Sequence, residues 1–263
     1  MIEFRNVYKS FDEESVLKDV SFRIERGETK IILGESGSGK STILKLILGL
    51  IRPDSGQILI EGHDIARLEE RELVPIRLGI GMVFQEGALF DSLSVLENVG
   101  YRLFEEGNLS ESEIHAAVSK QLGFVGLKEA IDKMPAELSG GMKRRVGIAR
   151  ALVGTPKVVL YDEPTAGLDP ITKRTIVDLM IKLRDLEGVT SVFVTHDLPA
   201  ASIMANEFAA AGENGEGDIR AVKDSSYVSN IRFIMLQKAS ICFEGDYQEM
   251  MNSEIPYVRT FVS

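Results

Sequence analysis

The start of the chain alternates hydrophobic and polar residues in short segments. Residues 2–7 and 20–24 follow this two-residue period, which predicts two β-strands that each bury one face. Residues 29–33 have the composition of a buried strand, and the chain then enters a Gly- and Ser-rich loop at Gly34. A further strand is expected at residues 56–61.

Helical and strand-like segments alternate from there on. The predicted elements lie at residues 41–50 (helix), 79–84 (strand), 94–154 (helical throughout), 158–161 (strand), 171–187 (helix) and 190–195 (strand). Strands that alternate with helices favour an α/β fold with a parallel sheet covered on both faces. We expect one domain over residues 1–263, whose core (1–90 and 155–263) carries an inserted helical subdomain at 91–154.

Residues 209–229 do not fit this alternation. They are rich in Gly, Ser and acidic residues, a composition typical of a solvated loop. The strand pattern returns at residues 231–236. We therefore expect an atypical, poorly ordered surface loop inserted at this point.

Composition narrows the possible functions. The chain has 263 residues, 44% hydrophobic and 27% charged, which is ordinary for a globular domain. Its net charge of −10 disfavours broad nucleic-acid binding, because such binding depends on Lys and Arg that neutralise phosphates. The chain has one cysteine, Cys242, no signal-peptide pattern and no run of about 18 apolar residues, which together favour a cytoplasmic protein.

A phosphate-binding loop follows the predicted strand at residues 29–33. The pattern G-x-x-x-x-G-K-[ST] is matched by Gly34, Glu35, Ser36, Gly37, Ser38, Gly39, Lys40 and Ser41, with Thr42 next in the helix. Glycines let successive backbone N–H groups point at phosphate oxygens, and the helix N-terminus adds donors. Lys40 would contact the β- and γ-phosphates, and the Ser41 hydroxyl would bind Mg²⁺. This motif alone indicates a nucleoside-triphosphatase.

Two carboxylates end the predicted strand at residues 158–161. Ligand sites in open α/β sheets lie beyond the carboxyl ends of the strands. Asp162 is therefore a candidate Mg²⁺ ligand, and Glu163 a candidate base that polarises the attacking water. The alternative is an acidic surface turn, which the neighbouring phosphate loop disfavours.

A second candidate anion site begins with Ser139, Gly140 and Gly141. They stand at the start of a predicted helix, where a hydroxyl, free N–H groups and the helix dipole favour an anion. Taken alone, this segment is better explained as a capped helix that binds no ligand.

These motifs together resemble those of ABC ATPases over nearly the full length of the chain. The matching segments are Walker A (34–41), Walker B (162–163), the signature LSGGM (138–142), the Q-loop glutamine Gln85, the D-loop (166–169) and the switch histidine His196. The resemblance implies a P-loop NTPase (RecA-like) core with a mostly parallel sheet, an N-terminal antiparallel β subdomain and a helical subdomain that carries the signature. It also implies ATP hydrolysis with Mg²⁺ in a head-to-tail homodimer.

The family resemblance also implies roles for individual residues. Ser139, Gly140 and Gly141 would contact ATP bound to the partner subunit, and Asp169 would lie at the dimer seam. His196 would hold the catalytic water or Glu163, and Gln85 would contact Mg²⁺ and the water. Phe11 occupies the position of the aromatic that stacks on adenine, with Tyr8 as second choice; the alternative for Phe11 is a core aromatic.

A narrower resemblance concerns the transported substrate. Residues 84–99 are similar to the corresponding segment of Mla/Mce-type ATPases, which serve lipid trafficking. Met142, which stands where many importers have Gln, adds to this resemblance. This implies a peripheral subunit on the cytoplasmic face of the inner membrane, an integral-membrane permease that docks at residues 86–99, and a possible lipid-binding-domain partner. The alternatives are a solute-importer ATPase and a regulatory ABC ATPase of the cell-division type. A translation or repair ATPase is disfavoured, because it needs tandem domains or a long coiled coil.

Overall fold

The computed structural model describes residues 1–211, 217–221 and 230–263. Its strands are β1 (Ile2–Phe11), β2 (Glu14–Ile24), β3 (Thr29–Leu33), β4 (Ser55–Ile60), β5 (His63–Asp64), β6 (Ile80–Val83), β7 (Val158–Asp162), β8 (Thr190–Thr195), β9 (Glu207–Ala211), β10 (Gly217–Ala221), β11 (Ile231–Gln237) and β12 (Ser240–Gly245). Its α-helices are α1 (Lys40–Ile47), α2 (Glu70–Arg77), α3 (Val95–Glu106), α4 (Glu111–Phe124), α5 (Gly140–Leu152), α6 (Pro170–Glu187), α7 (Leu198–Asn206), α8 (Tyr247–Met251) and α9 (Pro256–Val262).

The N-terminal strands form an antiparallel sheet in the order β2-β1-β4-β5. The alternating residues predicted from the sequence supply its buried face, with Ile2, Phe4 and Val7 on β1 less than 2% exposed. The rings of Phe4 and Phe22 stack across the β1–β2 pair, with centroids 4.5 Å apart. The predicted N-terminal antiparallel β subdomain is therefore confirmed.

The central sheet has six strands in the order β12-β11-β3-β8-β7-β6. All neighbours from β11 to β6 are parallel, and only β12 runs antiparallel at one edge. Strand β3 is buried on both faces: Ile31 belongs to the apolar cluster on the side of α3–α7, and Ile32 to the cluster shared with α1 and the N-terminal sheet. This confirms the predicted α/β, P-loop NTPase architecture.

Helices α3, α4 and α5 lie in the chain between β6 and β7, as the long helical pattern predicted. Ser94 and Ser110 cap α3 and α4 through reciprocal hydrogen bonds with Glu97 and Glu113. Inside α3, the fully buried Asn98 exchanges hydrogen bonds with the backbone of Phe90 and also donates to the carbonyls of Leu93 and Ser94. Asn98 thus fixes the loop that enters the helical block. The subdomain limits at residues 91 and 154 stay predictions.

The expectation of a loop over residues 209–229 is wrong for part of that stretch. Strands β9 and β10 pair as an antiparallel hairpin, from Glu207 opposite Ala221 to Ala211 opposite Gly217. Residues 212–216 and 222–229 lie outside the described residues. The hairpin packs on α6, where Arg184 fixes the start of β9, and this tertiary contact overrides the loop-like composition.

Arg184 is the anchor of this hairpin. Its side chain is buried and donates to the carbonyls of Met204 (2.5 Å) and Glu207 (2.7 Å). The same guanidinium binds Asp185, whose carboxylate also accepts from the backbone N–H of Ala209 at 2.8 Å. Within the described residues, no helix is long and apolar enough to span a bilayer.

Replacing Arg184 should destabilise the protein. The Arg184→Met variant removes the buried cation and leaves carbonyl oxygens of Met204 and Glu207 without this donor, so we expect a loss of about 3 kcal/mol in the free energy of unfolding. Urea unfolding followed by circular dichroism measures it. Arg220→Met on the exposed face of β10 is the matched control and should stay within about 0.5 kcal/mol of the parent. Equal losses in both variants would contradict the anchoring role.

Candidate functional site

The phosphate loop connects β3 to α1 and is shaped by its glycines. Gly39 has φ = +100°, and a Cβ at this position would lie 2.7 Å from the carbonyl oxygen of Val16. A Cβ on Gly34 would lie 2.6 Å from Ser38 Oγ. That hydroxyl is buried and has no hydrogen-bond partner among the described residues. The loop therefore presents an unused polar group and close-packed backbone, which fits a bound phosphate.

Lys40 is held in the mouth of this loop. Its ammonium donates to the carbonyl oxygens of Gly34 (2.7 Å) and Glu35 (3.0 Å) and lies 3.7 Å from Glu163 Oε1. Burial lowers the pKa of Lys40, and the nearby Glu163 carboxylate partly opposes that effect. The cation thus has partners that phosphate oxygens could replace.

Ser41 and Asp162 meet at the same edge of the sheet. The Ser41 hydroxyl donates to Asp162 Oδ1 at 2.9 Å, which joins the phosphate loop to the end of β7. Burial raises the pKa of Asp162, although the Ser41 hydrogen bond acts against it. A hydroxyl and a carboxylate are hard oxygen ligands of the kind that Mg²⁺ prefers, alongside phosphate oxygens. The donor set therefore fits Mg²⁺ bound with a nucleotide.

Glu163 and His196 are in direct contact. His196 Nδ1 lies 2.9 Å from Glu163 Oε1, and the Thr195 hydroxyl donates to Glu163 Oε2 at 3.0 Å. Glu163 has φ = +46°, an uncommon value for a residue with a side chain. This backbone conformation directs the Glu163 carboxylate toward both His196 and Lys40. Glu163 itself lies just after the end of β7.

The signature segment lies at the N-terminus of α5. Ser139 caps the helix by accepting from the N–H of Met142 at 3.3 Å, and Gly140 is exposed. Gly141 packs against α6, where an added Cβ would meet Thr172 at 2.3 Å. In the described part of the chain, no hydrogen bond joins these three residues to their own phosphate loop. The helix N-terminus is therefore free to face another molecule.

Gln85 lies in an exposed turn that closes when the N–H of Gly87 donates to the carbonyl of Phe84 at 3.0 Å. Arg150 on α5 holds the exit of this turn through the carbonyls of Gly87 (2.7 Å) and Ala88 (2.8 Å). Gly87 also packs directly against Gly147 of α5. The Gln85 turn and the signature helix are thus fastened together, while contacts of the Gln85 side chain with Mg²⁺ or water stay predictions.

The remaining predicted residues lie at the rim of the site. Phe11 ends β1 and is 45% exposed, with Lys9 Nζ 5.3 Å from its ring centroid; Tyr8 is exposed as well. The neighbouring β2 residue Val16 touches the phosphate loop at Gly39. Phe11 is thus not the core aromatic of the alternative interpretation, and adenine stacking stays a prediction. Asp169 caps α6 by accepting from Ile171 and Thr172, and its place at a dimer seam is likewise untested.

Sequence reasoning missed Arg144. This side chain is 7% exposed and donates to the carbonyls of Pro164 (2.9 Å) and Ala166. It therefore ties the signature helix to the segment that follows Glu163. Its signal in the sequence is weak, since three of the four residues 143–146 are Lys or Arg and nothing marks which of these is buried.

The sequence profile of the ABC transporter family matches residues 17–166, more than half of the chain. The chain belongs to the ABC transporter family. The match spans the phosphate loop, the Gln85 turn, the signature helix and the carboxylate pair. As a member, the chain is an ATP-binding cassette ATPase.

Curated relatives of this cassette carry different transport names. It is 50% identical over 188 residues to protein trigalactosyldiacylglycerol 3, chloroplastic, of Arabidopsis thaliana (68% of this chain, 54% of that protein). It is 42% identical over 262 residues to the probable ribonucleotide transport ATP-binding protein mkl of Mycobacterium leprae (100% and 68%). It is 40% identical over 198 residues to the intermembrane phospholipid transport system ATP-binding protein MlaF of Haemophilus influenzae (75% and 75%).

A fourth relative, the methionine import ATP-binding protein MetN 1 of Staphylococcus aureus, is 39% identical over 85% of this chain and 67% of its own. The cassette thus spans between about half and three quarters of the length of these relatives. Among solved structures, the dimeric bacterial ABC transporter cassette MJ0796 superposes with a TM-score of 0.78 at 34% identity, over 94% of this chain and 98% of that one. Another structure of MJ0796 is a dimer in a post-hydrolysis state with ADP and phosphate.

Removing the Lys40 ammonium should weaken nucleotide binding. In the Lys40→Ala variant the phosphates lose a charge-assisted hydrogen bond, so the Kd for ATP should rise about tenfold to a hundredfold. Isothermal titration with ATP and Mg²⁺ measures the change. Lys45→Ala, an exposed lysine of the same helix, is the matched control and should bind ATP like the parent. Unchanged ATP binding by Lys40→Ala would remove Lys40 from the site.

Proposed function

We propose that this cassette is the ATP-hydrolysing subunit of a membrane transporter and works as a homodimer to drive lipid through an integral-membrane permease. The observation that carries the proposal is the contact between Glu163 and His196, beside Lys40 and the Ser41–Asp162 pair. A base, its orienting histidine, a phosphate-binding cation and hard oxygen ligands for Mg²⁺ stand together at one sheet edge. This is the set of groups that phosphoryl transfer to water requires.

Each of these groups has a defined task in the proposal. ATP bound with Mg²⁺ would supply the phosphoanhydride bond that is cleaved. The loop N–H groups and Lys40 bind the phosphates, while Ser41 and Asp162 hold the metal. Glu163 accepts a hydrogen bond from the attacking water, and His196 keeps the carboxylate in position. Gln85 would contact the metal and the water.

The signature segment, in which Ser139 and Gly140 are exposed, supports a site shared between two subunits. The phosphate loop of one subunit leaves the terminal phosphate open to solvent, and Ser139, Gly140 and Gly141 of a second could cover it with preorganised donors. Excluding water strengthens the electrostatic interactions inside the closed site. The dimeric MJ0796 cassette supports this arrangement by analogy.

An exposed aromatic surface at the helical block supports permease docking. Phe90, Tyr101 and Phe104 are each between 41% and 46% exposed, and the rings of Phe90 and Tyr101 lie 4.9 Å apart. Grouped exposed aromatics mark interaction sites on soluble domains. The buried Asn98 holds the Phe90 backbone in place, so the surface is preformed.

Lipid is the substrate we favour. The similarity at residues 84–99 and the names of the Arabidopsis and Haemophilus relatives support it, and a possible lipid-binding-domain protein would complete the complex. Binding to the permease would place the cassette on the cytoplasmic face of the inner membrane. The methionine import relative is nearly as similar to this chain in sequence as the Haemophilus relative, so a solute importer is the second candidate.

The Glu163→Gln variant should bind ATP but hydrolyse it slowly. Without the carboxylate, the attacking water loses its base, so we expect turnover at least about a hundredfold below the parent. ATP should then hold the dimer closed, which size-exclusion chromatography with light scattering detects as an ATP-dependent doubling of mass.

The matched control for this experiment is Glu187→Gln, an exposed acid at the end of α6, which should hydrolyse ATP at the parent rate. Adding Lys40→Ala to Glu163→Gln should abolish the ATP-dependent dimer. Normal turnover in Glu163→Gln would overturn the role assigned to this residue.

Mass spectrometry on the tagged cassette, gently solubilised from its native membrane, tests the transport proposal. We expect an integral permease, copurifying phospholipid and a lipid-binding-domain partner. The Phe90→Ser variant should recover less permease, because the docking surface loses an aromatic side chain. Recovery of a soluble-cargo receptor, or of a membrane partner with no transport pathway, would overturn the lipid proposal and leave the ATPase proposal standing.

A further inference from the structure

Lys173 forms an ion pair with Asp197, the residue that follows His196. Its ammonium lies 2.5 Å from Asp197 Oδ2, and the Asp197 side chain is only 9% exposed. Lys173 stands in the first turn of α6, where its N–H donates to the carbonyl of Asp169 at 2.9 Å. The pair therefore links the start of α6 to the loop that carries His196.

Asp197 in turn organises that loop. Its Oδ1 accepts from the N–H of Ala200 and caps α7, and its own N–H donates to the Thr195 hydroxyl at 2.9 Å. The same Thr195 hydroxyl donates to Glu163 Oε2 at 3.0 Å. An unbroken chain of contacts thus runs from Lys173 through Asp197 and Thr195 to the Glu163 carboxylate.

The Asp197 carboxylate has a second neighbour from the segment after Glu163. The hydroxyl of Thr165, a fully buried residue, donates to Asp197 Oδ2 at 3.2 Å. Burial opposes ionisation of Asp197, but the hydrogen bonds from Lys173 and the Ala200 N–H outweigh it and hold the pKa of this carboxyl below its usual range. Lys173 therefore favours the ionised form of the Asp197 carboxyl.

We infer that Lys173 is a positioning residue for ATP hydrolysis: through Asp197 it fixes the turn that presents His196 to Glu163. Lys173 lies one helical turn after Asp169. The Lys173–Asp197 pair therefore also connects the end of α6 that follows the D-loop to the Glu163 carboxylate. The inference rests on the proposed roles of Glu163 and His196. It adds a residue that contacts neither nucleotide nor water in the proposed mechanism.

Arg174 provides a matched comparison. It lies next to Lys173 on α6 and forms a bidentate ion pair with Glu207, the first residue of β9, which directly follows α7 (2.8 and 2.5 Å). The two pairs fasten the residues that flank α7 to α6, but only the Lys173 pair adjoins His196. A purely structural role would therefore give the two residues equal importance.

The test measures steady-state ATP hydrolysis by the purified chain with Mg²⁺ over a range of ATP concentrations. Lys173→Met should lower kcat about tenfold with little change in KM, since the phosphate-binding groups are untouched. Lys173→Arg should restore most of the rate. Arg174→Met should keep the parent kcat. Equal kcat losses in Lys173→Met and Arg174→Met, or an unchanged kcat in Lys173→Met, would overturn the inference.

A double-mutant cycle covers the possibility that Lys173→Met loses activity through poor folding. If Lys173 acts through Asp197, the Lys173→Met/Asp197→Asn variant should be no slower than Asp197→Asn alone. Additive losses would overturn the relay. The Glu163→Gln variant separates the two proposals. Normal ATP turnover in that variant would overturn the assignment of the site. If Glu163→Gln hydrolyses ATP slowly but Lys173→Met hydrolyses it at the parent rate, only the role of Lys173 is overturned.

Discussion

The parallel pairing of β3 with β8 and of β8 with β7 sets the position of every charged group at the nucleotide edge. Leu33 lies opposite Thr195, and Asp162 opposite Val194, so the three strands end together. A slip of one residue in β7 would turn Asp162 to the other face of the sheet and break its bond with Ser41. The register is held by apolar side chains on both faces, which makes the buried core the determinant of the site geometry.

Much of this edge could be predicted from the sequence because its signals are local. The phosphate loop, the carboxylate pair and the signature segment each occupy a few consecutive residues, and the strands beside them have clear hydrophobic periods. Arg144, Arg150 and Lys173 could not be found in this way, because their partners are backbone carbonyls or a carboxylate at least twenty residues away in the sequence. The residue type alone does not show which lysine or arginine side chains of a helix are buried.

Helix α2 and strand β9 are among the elements that the sequence did not predict, for a similar reason. Helix α2 contains Pro75 and only eight residues, but Arg77 at its end donates to the carbonyls of Leu48 and Gly49 and joins it to the end of α1. Strand β9 is mostly alanine after Phe208, a composition that disfavours strands, and the Arg184 contacts supply what its own propensity lacks. In both cases tertiary hydrogen bonds decide the local structure.

The β9–β10 hairpin also bears on the solubility of the chain. Among the described residues the hairpin is a two-stranded sheet, and the outer edges of such a sheet can be a template for strand addition by other copies. The described segment of β10 spans five residues, and its exposed Asp218 and Arg220 place charges of both signs along it. A short, charged strand is a poor template for a further strand. The hairpin can therefore lie at the surface on α6 without promoting aggregation.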